Sequence, residues 1–318
     1  MATKILFYGA GVIGSIFAAK LSLSGQDVTV LARGKRLEEL RRSGVVLRNP
    51  RTGKTETARV NTIETLLPLM RFDYIFVVMK KTQVDAVLEA LSRNCIQNIV
   101  FIVNTAAGYE NWENALGENR LMICFPTAGG NRRDGIVNYF IFHGPKRLFQ
   151  TTTLGEANGK RTQRIAEVIR MFRRAGIPSM FYPDMDVWQK THVAMVTCIA
   201  NALYGQNCVN RKLAASRGDL MDLILAVREG FAVLKKLGIK RSPWKLSVFY
   251  LPNGFLTAAF RAIMGTQFAE FTMAMHCVAA RDEMIFLQME FDRLIAASKH
   301  STPHINRIKQ NLALNPEQ

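Results

Sequence analysis

Little in this chain is arranged to bind a metal or to be cross-linked. Its five cysteines, Cys95, Cys124, Cys198, Cys208 and Cys277, are scattered, odd in number and without a Cys-x-x-Cys pair. That pattern fits free thiols in a reducing compartment and excludes a disulfide framework that uses all of them. The five histidines include no His-Glu-x-x-His motif, so no metal site is expected. Acidic residues are scarce, 25 against 42 lysines and arginines, which leaves a formal charge of +17. The surplus is dispersed in short clusters at 33–36, 132–133, 146–147, 173–174, 235–236 and 240–241, without interleaved aromatics. A nucleic-acid binder concentrates such charge on one arm or helix, so no nucleic-acid partner is expected. A positive field suits an anionic cofactor and an acidic small-molecule substrate. Long apolar runs are missing too. The stretches 192–203 and 255–264 fall short of the roughly 18 to 20 residues of a membrane span. No basic region followed by an apolar core opens the chain. The expectation is a cytoplasmic protein with no membrane partner.

What is present is an ordinary globular composition, 48% hydrophobic and 21% charged, over 318 residues, enough for two domains. Residues 4–8, 27–32, 74–79 and 99–103 are short apolar or alternating runs that read as strands. Helical spacing at 12–24, 36–43 and 83–92 alternates with them, which implies right-handed βαβ units and a parallel sheet. Strand candidates follow at 122–125, 139–143 and 151–154, then an amphipathic basic helix at 161–175. Beyond about residue 184 strand signals fade, and long helices are expected at 188–203, 220–237, 255–264 and 268–298. The reading is an α/β domain over 1–182 and an all-helical domain over 183–318 that carries substrate contacts or a dimer face.

Gly9, Ala10, Gly11, Val12, Ile13 and Gly14 form a Gly-x-Gly-x-x-Gly run directly after the first strand and at the start of the first helix. In that context the glycines serve a tight turn, a close approach of backbone to a pyrophosphate, and helix–strand packing, as in a Rossmann dinucleotide site. At the end of the second strand an NAD enzyme carries an acidic residue for the ribose 2′-hydroxyl. This chain has Arg33 there, followed by Gly34, Lys35 and Arg36. A guanidinium can hold a 2′-phosphate that a carboxylate would repel, so the cofactor expected is NADP. A solvated helix start is the plain alternative for Lys35 and Arg36.

These residues, with the run 79–84 (MKKTQV) around Lys80, Asn104 after the next strand, Leu154-Gly155-Glu156, Trp188-Gln189-Lys190, Glu283 and Thr302-Pro303, resemble the ketopantoate reductase family in order and spacing. The resemblance implies a Rossmann domain followed by a helical domain, with the active site in the cleft between them. It implies that Lys190 is the general acid, that Glu283 holds Lys190 or the substrate, that Asn104 hydrogen-bonds near the reacting centre, and that Lys80 lies near the cofactor. Hydride addition to a ketone leaves an alkoxide that an ammonium can stabilise and protonate. His192 is an alternative acid. Surface or capping roles are the plain alternatives for Lys190 and Lys80, and a charged face is the alternative for Glu283, beside Arg281 and Asp282.

Departures from the resemblance fall on substrate contacts. Family asparagines four and eight residues after the lysine are Ala194 and Cys198 here, the family's serine twelve residues before the glutamate is Phe271 beside Thr272, and the glycine after Asn104 is Thr105. The expected activity is NADPH-dependent reduction of a 2-oxo acid or related ketone, with ketopantoate a poor substrate unless Thr197, Asn201 or Thr272 replaces the lost contacts. The family's own reaction would belong to pantothenate biosynthesis. The rivals are an opine-type imine-reducing dehydrogenase and a non-catalytic NADP-binding sensor. A homodimer is left open.

Overall fold

The computed structural model describes residues 2–144 and 151–313, so the basic pair at 146–147 lies outside the described residues. The chain divides into two compact units, residues 1–103 with 109–185, and 104–108 with 186–318.

The first unit opens with β1 (Lys4–Tyr8), α1 (Val12–Leu23), β2 (Asp27–Leu31) and α2 (Gly34–Ser43). Three short strands follow, β3 (Val45–Arg48), β4 (Thr55–Ala58) and β5 (Asn61–Ile63), then β6 (Tyr74–Val77), α3 (Asp85–Arg93), β7 (Ile99–Phe101), α4 (Glu110–Leu116) and β8 (Leu121–Phe125). The unit ends with β9 (Ala128–Arg133), β10 (Ile136–Ile141), β11 (Thr152–Glu156), α5 (Gln163–Arg174) and β12 (Ser179–Phe181). Eight strands make one sheet in the order β12-β11-β8-β7-β6-β1-β2-β5, parallel throughout except where β11 runs antiparallel to β8. Ile5 pairs with Val28 on one side and with Tyr74 on the other. β1, β6 and β7 are almost fully buried because both faces are covered, and this is why they read as continuous apolar runs. Phe7 and Phe76 stack at 5.1 Å between centroids, and Phe172 of α5 packs on Phe76 at 5.5 Å.

A second sheet, β4-β3-β10-β9, was not expected from the sequence. β4 (TETA) and β9 (AGGNRR) are short or glycine-rich and mostly half-buried or exposed, with no apolar run, whereas β10 (IVNYFI) overlaps the strand expected at 139–143. Asp134 and Gly135, both at positive φ (51° and 78°), turn β9 into β10, the Asp-Gly hairpin chemistry that matches strand twist.

The second unit is helical: α6 (Met185–Tyr204, whose first residue belongs to the first unit), α7 (Asn210–Ala215), α8 (Arg217–Lys236), α9 (Asn253–Met264), α10 (Gln267–Ala269), α11 (Met275–Ala279), α12 (Arg281–Ser298) and α13 (Pro303–Lys309). The single helix expected over 268–298 is broken. Glu270–Ala274 forms a π-helical turn, and Ala280 leaves helical geometry at φ −127°, ψ 31°. The core gathers Leu203, Leu223, Val227, Phe231, Leu287 and Phe291 from α6, α8 and α12.

Candidate active site

In the first unit the strand order reverses between β1 and β6, and open α/β sheets bind ligands outside the carboxyl ends of their strands at that switch. The glycine run lies there. Gly9 has φ +128°, and an added Cβ would sit 2.1 Å from the Val78 carbonyl oxygen just after β6. At Gly14 an added Cβ would lie 2.2 Å from the Gly9 oxygen. These two glycines are therefore required by the fold. Gly11 differs: no heavy atom lies within 4 Å of an added Cβ, and its φ of −67° suits any residue. As the N-cap of α1 it has no side chain to accept from the N–H groups of the first turn, which leaves that helix start without a side-chain cap.

Arg33 is exposed at the N-cap of α2, and its described hydrogen bond runs from Nε to the Glu64 carbonyl at 3.5 Å. Lys35 is exposed. Arg36, for which a solvated helix start was the plain alternative, is buried. It donates to the Ala10 carbonyl (3.3 Å), to Ser15 Oγ (2.8 Å) and to Glu39 (3.0 Å), bracing the glycine turn against α2. The basic cluster thus separates into one structural arginine and two exposed cations. Lys80 is half-buried where β6 passes into a 3-10 turn at Lys81–Gln83, and Lys81 lies over the Trp112 ring at 4.2 Å.

In the second unit α6 carries Lys190, half-buried and ion-paired with Asp186 one turn earlier. Sequence reasoning passed over Asp186, although its four-residue spacing from a lysine on a helix was the available signal. The loop 104–108 belongs to this unit. An added Cβ on Gly108 would sit 3.6 Å from Asp186 Oδ1, so the loop runs beside the Lys190 ion pair. At its other end Asn104 has a buried Oδ1 with no hydrogen-bond partner. Thr105 and Ala106 are held by Glu290 of α12, at 2.9 Å and 2.7 Å. Glu283 is half-buried in the first turn of α12, where the helix dipole favours a carboxylate. His192 stacks on Trp188 (5.4 Å, 9°), and burial, helped by His276, pushes its imidazole down to about 3. A histidine so depressed is neutral near pH 7 and has no imidazolium proton to give.

The departures have packing explanations. Ala194 and Cys198 are core residues, with 0% and 1% of their surface exposed. Ala194 backs onto Gly230 of α8, where an added Cβ would be 3.3 Å from Ala194 Cβ and 3.2 Å from its carbonyl oxygen. Two small residues let α6 and α8 approach closely, and an asparagine would not fit there. The side chains that could have replaced the amides are engaged inside the protein. Thr197 donates to Val193 O, Thr272 to Phe268 O, and Asn201 to Gln288 Oε1. Phe271 lies on the π-helical turn with 37% of its surface exposed. Among the described residues no group of three or more His, Cys, Asp or Glu could hold a metal. His300 and His304 do stand four residues apart, but Pro303 starts α13 between them and His304 Nδ1 is 2.9 Å from Asp222.

The chain has relatives among known proteins. Residues 5–156 match the family described as ketopantoate reductase PanE/ApbA. The chain is ketopantoate reductase-like. It is 22% identical over 244 residues to the 2-dehydropantoate 2-reductase of Pyrococcus horikoshii, covering 74% of this chain and 75% of that protein. It is 26% identical over 194 residues to the uncharacterised oxidoreductase YkpB of Bacillus subtilis, covering 59% of this chain and 60% of YkpB, less than two thirds of that relative. A D-mandelate dehydrogenase solved with NADH and anilino(oxo)acetate superposes with a TM-score of 0.76 at 15% identity, over 97% of this chain and 96% of that one. With the ketopantoate reductase-like chain it shares the fold, an α/β part with a mostly parallel sheet and a helical part. Among the described residues no helix is long and apolar enough to cross a membrane.

Proposed function

We propose that this protein is an oxidoreductase that reduces a 2-oxo acid or a related ketone with NADPH, with Lys190 as the proton donor. The observation that carries the reading is the group of polar atoms inside the second unit. Lys190 is half-buried against Asp186, and the loop beside that pair carries the unpartnered Asn104 Oδ1. A buried polar atom without a partner is costly in a folded chain, and a bound substrate hydroxyl or amide would relieve that cost.

The open space at Gly11 and the uncapped start of α1 fit a dinucleotide pyrophosphate, and Arg33 and Lys35 fit a 2′-phosphate. A reduced nicotinamide supplies the hydride when bound. The chain's own part is to hold the ketone, to stabilise negative charge growing on its oxygen and to deliver a proton there. Asp186 orients the Lys190 side chain, Lys190 Nζ gives one proton to the nascent alkoxide, and solvent returns it. Asn104 orients the substrate, and Glu283 steadies the substrate or Lys190.

The substrate reading favours compounds poorer in hydroxyl groups than ketopantoate. The helix turns after Lys190 offer Ala194 and Cys198, and Thr197, Asn201 and Thr272 are already hydrogen-bonded. A site that lacks partners for a substrate hydroxyl does not select for it. The D-mandelate dehydrogenase neighbour, whose structure holds an aryl-bearing oxoacetate, gives this choice a precedent on the same fold.

Loss of nicotinamide absorbance with a panel of ketopantoate, branched-chain and aryl 2-oxo acids, with and without an amino acid, tests the reading. Turnover of the apolar 2-oxo acids is expected. Turnover that needs the amino acid would indicate imine reduction, no turnover with any of them would indicate a sensor, and a kcat/KM for ketopantoate of about 10⁴ M⁻¹s⁻¹ or above, exceeding the others, would refute the substrate reading.

A further inference from the structure

Among the described residues two glutamates are almost wholly buried, Glu156 at 2% and Glu290 at 3% exposure, and they differ in how their charge is met. Glu156 lies 2.5 Å from the Arg164 guanidinium. Glu290 has no cation within ion-pairing distance among the described residues. Its oxygens accept only from the Thr105 hydroxyl (2.9 and 3.2 Å) and the Ala106 amide (2.7 Å). Thr105 Oγ1 in turn accepts from the Ala107 amide at 3.1 Å. A carboxylate buried without a cation is expensive to keep, and a packed apolar residue would be cheaper. Its donors all lie in one five-residue segment, the loop that starts with Asn104 and ends at Gly108 beside the Lys190–Asp186 pair. Thr105 stands where the resemblance has glycine, so the hydroxyl that meets Glu290 is one of this chain's departures from the resemblance.

We infer that Glu290 is a positioning residue for Asn104. Through the Thr105 hydroxyl and the Ala106 amide it holds the backbone on the C-terminal side of Asn104, and so fixes the place of the Asn104 side chain, whose buried Oδ1 has no protein partner. The inference rests on the proposed role of Asn104 in ketone reduction. Glu290 touches no reacting atom in this account. It acts through the loop, and a shift of about 1 Å in an orienting group is enough to cost a large factor in rate.

The test is a double-mutant cycle in the full-length protein, with NADPH and the best 2-oxo acid of the panel. Glu290→Gln replaces one acceptor oxygen by a donor at constant volume, and should lower kcat about tenfold or more while KM and NADPH affinity stay within about threefold. In an Asn104→Ala background the same change should alter kcat by less than about twofold, because there is no longer an amide to position. An unchanged kcat, or an equal fall in both backgrounds, overturns the inference. Thr105→Val keeps the shape, removes the hydroxyl and repeats the test if Glu290→Gln folds poorly. A wild-type protein that reduces none of the panel refutes the proposed reaction rather than the clamp. Amide exchange, which needs no turnover, then decides. Exchange at Ala106 and Ala107 accelerated about tenfold in Glu290→Gln at unchanged Tm supports the clamp, and unchanged exchange overturns it.

Discussion

At the residue scale the proposed chemistry rests on single cations whose surroundings differ. Lys190 is half-buried with Asp186, whereas Arg33 is exposed and holds only a carbonyl through Nε. Lys190→Ala should lower kcat by about 10²-fold or more, as for loss of a positioned proton donor, with NADPH binding unchanged by titration calorimetry. Survival of turnover within a few-fold would remove Lys190 as the acid, and the depressed, neutral His192 would not replace it. Arg33→Asp should weaken NADPH binding by more than tenfold, since a charge-assisted phosphate contact contributes about 1.5 to 3 kcal/mol, and should leave NADH binding nearly unchanged. Equal wild-type affinity for the two cofactors would refute the assignment. Arg36, in the same basic run, is part of the fold: its hydrogen bonds to the Ala10 carbonyl and to Ser15 Oγ tie α2 to the glycine turn and to α1.

At the element scale, the glycine run contains two kinds of glycine. Gly9→Ala forces a Cβ into the Val78 carbonyl at a positive φ, and should destabilise the protein by several kcal/mol, read as a large fall in Tm. Gly11→Ala meets open space at an ordinary φ. It should leave Tm unchanged or slightly raised while weakening dinucleotide binding, because the backbone approach is needed by the ligand and not by the fold. Equal effects of the two on Tm would contradict that division. The contact of α6 with α8 makes a similar point. Restoring an amide by Ala194→Asn should cost about 1 to 3 kcal/mol through overpacking against Gly230, measured by denaturant unfolding, and should not restore preference for ketopantoate. A stable variant with a new preference for ketopantoate would show that position 194 lines the site after all.

For the whole molecule the charge is +17 at pH 7, and acidification adds to it. His192 gives that trend a local source. Its imidazole is held at about 3 in the fold against 6.5 when free, so below pH 6.5 the unfolded chain takes up a proton that the folded one refuses. The stability it contributes is complete above pH 6.5 and declines as pH falls towards 3, by up to about 1.4 kcal/mol per pH unit. His192→Phe keeps a ring against Trp188 and removes the titration. Its Tm should fall less than the wild type's between pH 7 and 5, and parallel pH profiles for the two would exclude this contribution.

The elements that carry their own signal were legible in the chain. Buried parallel strands such as β1 and β6 must be apolar on both faces, the glycine turn needs glycine for steric reasons at Gly9 and Gly14, and α6 and α8 repeat their apolar residues with helical period. The small sheet was not read, because β4 and β9 bury too little to be apolar, though Asp134-Gly135 held the hairpin signal. What only the tertiary structure decided is contact between residues far apart in sequence. It buried Arg36 within the basic run, packed Ala194 against Gly230, and brought Glu290 to Thr105 across 185 residues. No local periodicity encodes such pairs. A side chain's role as ligand, brace or packing partner depends on what lies opposite it, and that is settled only when the chain has closed.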